Sequence, residues 1–293
     1  MTQALATSLA CVATVPDCLS EADFTRVAEI IVNQVGIRLP STKREMIESR
    51  LRKRVRALGL SSIAEYCRLL FRGDLIASEL IDLIDVVTTN KTDFFREPEH
   101  FELLKRDIVP ALLAGQKSSA RPLLKIWSAA SSIGAEAYST AMLLADLSAA
   151  MGGFRFAILG TDICTQVLEQ AVRAVYSEEM TNPVPPDMRK RYLMWSRAAS
   201  GRGTVRIVPE LRRVCRFGRL NLMDATYPID RDVDVIFLRN VLIYFNRQTQ
   251  EAVISRIISH LRPGGYLLLG HSESMIGTNM QLRQVAPATF QRA

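Results

Sequence analysis

The chain has 293 residues, 48% of them hydrophobic and 23% charged, which is enough apolar side chain for a core and not the composition of a disordered chain. No apolar run approaches the roughly 20 residues of a membrane-spanning helix, and Leu9–Val15, short and with no basic residue before it, reads as part of a loose N-terminal tail, so a cytoplasmic protein is expected. The net charge of +7 is concentrated: Tyr176–Leu220 holds ten Lys/Arg against four Asp/Glu, and Lys43–Leu58 holds seven against two, two basic patches suited to acidic partners.

Residues 1–19 are read as a flexible tail and 20–88 as a small helical bundle. Phe24, Val27, Ala28, Ile31 and Val35 share one helical face, with Ser20 placed to cap the helix and Gly36 to end it. In Lys43–Leu58 the apolar stripe is Ile47, Leu51, Val55 and Leu58, and Arg52, Lys53 and Arg56 point the other way, to solvent or a partner. Two shorter helices are expected near 62–72 and 76–87, with Leu83, Ile84 and Val87 on their packing face.

Residues 89–121 form a linker and connecting helix. Within it, Thr92-Asp93-Phe94-Phe95-Arg96-Glu97 puts two adjacent aromatics between polar clusters. Such a pair packs on a neighbouring domain or a ligand, and Arg96 could then reach a bound carboxylate.

From 122 to 293 short apolar runs alternate with helical stretches: Leu123–Trp127, Glu136–Ala150, Phe154–Gly160, Thr165–Val175, Val233–Leu238, Thr249–Leu261 and Tyr266–Leu269. This alternation predicts a parallel sheet covered by helices, which binds ligands beyond the carboxyl ends of its strands. An interruption at about 176–220, with Pro183, Pro185 and Pro186 followed by Gly201 and Gly203, reads as an inserted antiparallel β-subdomain built from Tyr192–Trp195, Val205–Val208 and Val214–Phe217.

Three strand ends carry candidate chemistry. The first runs into Ser128-Ala129-Ala130-Ser131-Ser132-Ile133-Gly134-Ala135-Glu136, small residues that let a ligand approach backbone. It lacks the three glycines of a dinucleotide cradle, and Glu136 would repel phosphate but hold an ammonium group, or act only as a first-turn acid. The second ends at Asp162, placed either to accept from ribose hydroxyls or to cap the next helix. The last, before Tyr244, ends in Arg239-Asn240, polar groups at a buried tip that need partners, whether a ligand or the fold itself. Five dispersed cysteines and three distant histidines show no zinc-type spacing; free thiols and no metal are expected.

Four segments in this order resemble the chemotaxis receptor glutamate methyltransferases, the CheR family: the "T-x-F-F-R" of Thr92–Arg96, the "WSAA" first loop beginning at Trp127, the "RNV-IYF" of Arg239–Phe245, and the "GHSE" of Gly270–Glu273. The resemblance runs from about 20 to 291. It implies a Rossmann-like α/β methyltransferase domain dependent on S-adenosylmethionine, with S-adenosylhomocysteine as product, an N-terminal all-α domain and the inserted β-subdomain. It implies that Glu136 holds the cofactor's amino group, Asp162 its ribose, and Asn221 and Leu222 its adenine. Thr92, Arg239 and Asn240 line the methionine side, and Arg96 and Tyr244 face the methyl group and an incoming glutamate. Where the family has Glu and Pro on either side of Glu136, this chain has Ala135 and Ala137.

The implied partners are cytoplasmic helices of methyl-accepting chemoreceptors in receptor arrays. They would be met by Arg52, Lys53 and Arg56, with Gly201 and Gly203 shaping an edge of the β-subdomain for a receptor C-terminal peptide; a monomer is expected. Two alternatives belong to other classes. A nucleic-acid methyltransferase is disfavoured because the turn Arg239-Asn240-Val241-Leu242 has no proline and aromatics make up 7%. A non-catalytic cofactor sensor or receptor-docking protein on the same fold is motivated by Ala135 and Ala137.

Overall fold

A computed structural model of the chain describes residues 17–73, 76–115, 122–197, 203–273 and 281–293. Most of the expected flexible tail, with Cys11, lies outside them, as does Gly201. The chain divides into two compact units, residues 1–30 with 39–87, and residues 31–38 with 88–293.

The helices come in the order α1 (Glu21–Val35), α2 (Arg44–Ala57), α3 (Ile63–Arg72) and α4 (Ile76–Val87). Ser20 Oγ accepts from the amide of Asp23 at 3.0 Å, which caps α1, and Gly36 follows its end with φ +74°. In the first unit α2, α3 and α4 pack on one another. Ile47, Leu51, Val55, Tyr66, Leu83 and Ile84 are buried. Arg54 donates to both carboxylate oxygens of Glu79 at 2.7 and 2.8 Å, and Tyr66 donates to the same acid at 3.1 Å. One buried carboxylate thus joins three helices, and removing either cationic or acidic partner would strand a charge in the core. Lys53 and Arg56 are exposed. Arg52 is exposed as well, and its guanidinium pairs with Glu48 at 2.7 Å and donates to the carbonyl of Asp17.

In the second unit α5 (Pro98–Leu103) and α6 (Val109–Ala114) are joined through a π-helical turn at Leu104–Ile108. Then come β1 (Leu123–Ala129), α7 (Ala135–Ala150), β2 (Arg155–Asp162), α8 (Thr165–Arg173) and β3 (Val175–Ser177). They are followed by α9 (Pro186–Tyr192), β4 (Leu193–Arg197), β5 (Gly203–Ile207), α10 (Pro209–Val214) and β6 (Cys215–Arg219). The last elements are β7 (Val233–Leu238), α11 (Arg247–His260), β8 (Leu261–Leu269), β9 (Leu282–Ala286) and β10 (Thr289–Arg292).

Among the described residues the large sheet has the order β6-β2-β1-β7-β8-β10-β9. Its first five strands are parallel, and β10 pairs antiparallel with both β8 and β9. The chain winds outward from β1 through β2, then restarts on the other side of β1 with β7, so the order reverses between β1 and β7. All six residues of β7 are buried, as expected of a strand covered on both faces. At the carboxyl ends of this pair Ala129 lies opposite Leu238, where a sheet of this kind has its ligand crevice.

The β-insertion differs from expectation. Val214–Phe217 was expected in it, but β6 runs parallel to β2, with Cys215 opposite Ile158, as the edge of the large sheet. The third strand of the small sheet is instead β3, and the order is β3-β5-β4. The reason is local: α8 ends at Ala174 in a left-handed conformation, φ 55°, two residues before the helix was expected to stop. The released chain extends and buries Tyr176, whose hydroxyl donates to the carbonyl of Ile133 at 2.7 Å. The β9–β10 hairpin has no counterpart in the sequence reading.

Candidate active site at the switch point of the sheet

The crevice between β1 and β7 is lined by the loop after each strand and by the linker before α5. The linker is anchored by its aromatics. Phe94 is fully buried, edge-on to Tyr176 with ring centres 5.0 Å apart, and the amide of Phe95 donates to Ser139 Oγ at 2.9 Å. Phe95 and Glu97 have φ 51° and 56°, left-handed values that cost non-glycine residues energy and persist where surrounding contacts over-determine them. Asn240, at the tip of β7, has φ 57°, and Ala130 and Ser132 in the first loop have 59° and 50°. Strained backbone thus gathers around this one crevice.

Its floor is a charge network. Glu136, 14% exposed, accepts from Ser128 Oγ at 2.6 Å and lies 3.4 Å from Arg239 Nη1. Arg239, 3% exposed, also lies 3.4 Å from Glu97 and donates to the carbonyl of Arg96. Asn240 donates through its amide nitrogen to Glu97 at 3.3 Å. Burial raises the pKa of Glu136 above the usual carboxylate value, opposed by Arg239 and the Ser128 hydrogen bond. Burial also works to raise Glu97, but Arg239, the Asn240 amide and the nearby histidines hold it below that value. Neither Nε nor Nη1 of Arg239, both buried, has a hydrogen-bond partner among the described residues. The buried Ser131 hydroxyl also lacks one, and such groups are exceptions that a bound ligand explains. A carboxylate for an ammonium group beside a guanidinium whose ion pairs to Glu97 and Glu136 are long, 3.4 Å each, fits the amino-acid end of S-adenosylmethionine.

The loops are held by two further acids. Asp162 accepts from the amides of Ser132 at 2.8 Å and Cys164 at 3.0 Å, which ties the first loop to the start of α8. Glu273 accepts from the amides of Gly270, Asn240 and Leu242 at 2.7–2.8 Å. Burial raises its pKa against the pull of those amides. A Cβ on Gly270 would stand 2.7 Å from both Asn240 and Glu273, so only glycine fits there.

The remaining expected site residues lie as follows. Thr92 is half-buried in the linker, and the half-buried Arg96 donates to the Lys91 carbonyl at 3.2 Å. Tyr244 is half-buried in the turn after β7, and its carbonyl accepts from the amide of Arg38 at 3.0 Å. Asn221 closes a turn by accepting from the amide of Met223 and donates to the Gln34 carbonyl at 2.8 Å. Leu222 is buried, with its carbonyl accepting from Tyr227 and Arg256. Gly203 does not shape an edge: β5 is the central strand of the small sheet, and a Cβ there would meet a Glu178 oxygen at 2.6 Å. The edges are β3 and β4, and on β4 Met194 and Trp195 are exposed.

In the first loop Gly134 leaves room for the protein itself, since a Cβ there would stand 3.0 Å from the Phe217 ring. Two of the histidines, distant in sequence, do not stay apart: His100 and His271 meet beside Glu97. Sequence reasoning assigned no role to Glu97, Ser128 or Glu273, although all three lie inside the quoted segments. Asn90, whose carbonyl accepts from Ser132 Oγ at 3.0 Å, was also passed over. The signal available was a charged or polar residue beside a buried arginine that must be neutralised.

Residues 90–290 match the CheR methyltransferase, SAM binding domain, and residues 22–88 the CheR methyltransferase, all-alpha domain. The chain belongs to the CheR methyltransferase family. It is 38% identical over 256 residues to the chemotaxis protein methyltransferase of Escherichia coli, covering 87% of this chain and 85% of that one. It is 37% identical over 273 residues to chemotaxis protein methyltransferase 2 of Pseudomonas aeruginosa, covering 92% and 93%. With the chemotaxis protein methyltransferase of Borreliella burgdorferi the figures are 34% over 277 residues, 94% and 95%. The α/β architecture with an all-α N-terminal domain is the family's, its methyl donor is S-adenosylmethionine, and no helix among the described residues is long and apolar enough to cross a membrane.

Proposed function

We propose that this CheR-family chain esterifies glutamate side chains on the cytoplasmic helices of chemoreceptors, using the methyl group of S-adenosylmethionine. The observation that carries the reading is the Glu136–Arg239 pair at the switch point, 3.4 Å apart and without a hydrogen bond at either Nε or Nη1 of the guanidinium, next to a linker arginine. The names of the relatives as chemotaxis methyltransferases support the receptor as acceptor.

In this reading Glu136 holds the cofactor's ammonium group, Arg239 and Asn240 with Thr92 its carboxylate side, Asp162 its ribose, and Asn221 and Leu222 its adenine. Bound S-adenosylmethionine supplies a methyl group on a sulfonium. The acceptor needs no general base, because a glutamate with a pKa near ~4.3 is already a carboxylate at neutral pH. Its oxygen forms the new bond to carbon as the carbon–sulfur bond breaks, and the electron pair stays on sulfur as S-adenosylhomocysteine leaves. Arg96 and Tyr244 align the carboxylate with that bond, so the chain's contribution is positioning and partial desolvation. Lys53 and Arg56, with Arg52 shared with Glu48, offer charge to an acidic receptor helix. The exposed β4 edge is suited to strand addition by a receptor peptide. Ala135 and Ala137, the departures that favour a sensor, are both fully buried in the core, where they leave Glu136 in place.

The test uses S-adenosylmethionine labelled in the methyl group, receptor-bearing membranes, and counting of methanol released by mild alkali. Label should be alkali-labile, and Arg96→Ala should lower turnover on the order of a hundredfold while changing cofactor affinity far less. Alkali-stable label would place the acceptor on nitrogen, and parallel loss of binding and turnover would remove the aligning role of Arg96.

A further inference from the structure

Beside the cofactor floor lies a second cluster with a different chemistry. Glu97 ends the linker, His100 sits in the first turn of α5, and His271 follows β8; one ligand atom from each lies within 4.8 Å of the others. His100 is 2% exposed, and neither of its ring nitrogens has a hydrogen-bond partner among the described residues. Glu97 Oε2 also accepts no hydrogen bond there, and His100 Nδ1 and Arg239 Nε each stand 3.4 Å from Glu97 Oε2. Buried imidazoles normally have a partner, so a ring with two idle nitrogens aimed at a carboxylate and a second imidazole points to a missing ligand. The His271 ring stands edge-on to it, with centres 5.1 Å apart, and is exposed and able to turn.

Two imidazoles and one carboxylate are a ligand set for borderline divalent metals. With bonds near 2.05 Å and tetrahedral angles, ligands of one zinc ion stand about 3.3 Å apart. The His100–Glu97 separation is already at that spacing, and rotation of His271 supplies the third ligand.

We propose that Glu97, His100 and His271 bind one Zn2+-class ion, with a fourth position open to water. The ion takes the carboxylate oxygen that faces Arg239, while the other oxygen keeps Asn240. Its consequence for catalysis rests on the proposed function. The metal competes with Arg239 for Glu97 and adds positive charge beside a site that takes a sulfonium, so metal and methyl donor weaken each other's binding, and the coupling is reciprocal.

The experiment titrates the metal-free full-length protein with Co2+ followed by visible absorption, then displaces it with Zn2+ in a calorimeter. One ion per chain is expected, with no thiolate charge-transfer band. His271→Ala should weaken binding more than about tenfold while its thermal unfolding in EDTA matches the parent protein. Saturating Zn2+ should raise the Kd for S-adenosylmethionine measured by calorimetry. No stoichiometric uptake, a thiolate band, or uptake unchanged by His271→Ala overturns the site. An unchanged donor affinity overturns the coupling. Donor binding and methylation assayed in EDTA report on the methyltransferase reading separately, so the two can fail independently.

Discussion

At the scale of single residues, the buried histidine beside the charge network makes the protein acid-sensitive. Burial first, then the field of Arg239, pushes the His100 pKa down to about 4. An unfolded chain takes up that proton near pH ~6.5. Between the two values the unfolded state binds more protons, so stability is fully present above about pH 6.5 and is lost as pH falls toward 4. The loss is on the order of 2–3 kcal/mol by pH 4. Urea unfolding in EDTA at a series of pH values should show it, and His100→Asn should flatten the dependence in that window; an equal slope in both proteins would show that His100 is not the titrating group. The polar residues of the site illustrate what a sequence reveals at this scale. Asp162 and Asn240 stand at or just past strand ends and Glu136 in the first turn of α7, where periodicity draws attention to them. Glu97 does not: its importance comes from a left-handed backbone that turns its carboxylate onto Arg239, and no spacing rule encodes that turn. Arg52 is exposed, as its place on the helical wheel predicts, and Glu48, one turn back, is within its reach.

At the scale of elements, the close packing of β2 against β6 is the tightest constraint near the site. Gly160 lies opposite Phe217, and a Cβ there would come 2.6 Å from its ring and 2.7 Å from Ser131 Oγ. Gly160→Ala should cost about 1–3 kcal/mol, lowering Tm by roughly 2–4 °C per kcal/mol in a chain of this size. Calorimetry on the variant and on a Gly160→Ala/Phe217→Leu double variant checks this, and the smaller ring should restore part of the loss. An unchanged Tm in the single variant would mean the ring moves aside freely. Helices α1 to α4, α7, α8 and α11 and the parallel strands β1, β2, β7 and β8 were legible because each has a clean 3.6 or apolar-run signature. The assignment of β6 was not, because a basic, glycine-broken run such as Cys-Arg-Phe-Gly-Arg has no continuous apolar core. It reads as an exposed strand, although it serves as the sheet's edge. Nor was β3, three residues long, whose existence depends on a left-handed helix end at alanine.

At the scale of the molecule, the excess positive charge divides between the two units, on α2 in one and around α9 and α10 in the other. Its value is in encounter, not in fold: exposed charges raise association rates and lose that effect when salt shortens their reach to about 8 Å at physiological strength. Lys53→Glu with Arg56→Glu should slow receptor methylation about tenfold at low salt and less at high salt, with donor affinity unchanged. Initial rates across an ionic-strength series read this directly, and a rate indifferent to both charge and salt would remove α2 from the docking surface.

The second unit is not one continuous stretch of chain. Residues 31–38 belong to it, tied in by the Gln34 carbonyl to Asn221 across 187 positions and by the Arg38 amide to Tyr244. Gly36 sits where any side chain would strike Met223 and Phe245. During synthesis this segment leaves the ribosome early and waits for partners made much later, so the unit cannot close until most of the chain exists. A catalytic fragment excised at the start of the linker would therefore lack a piece of its own core.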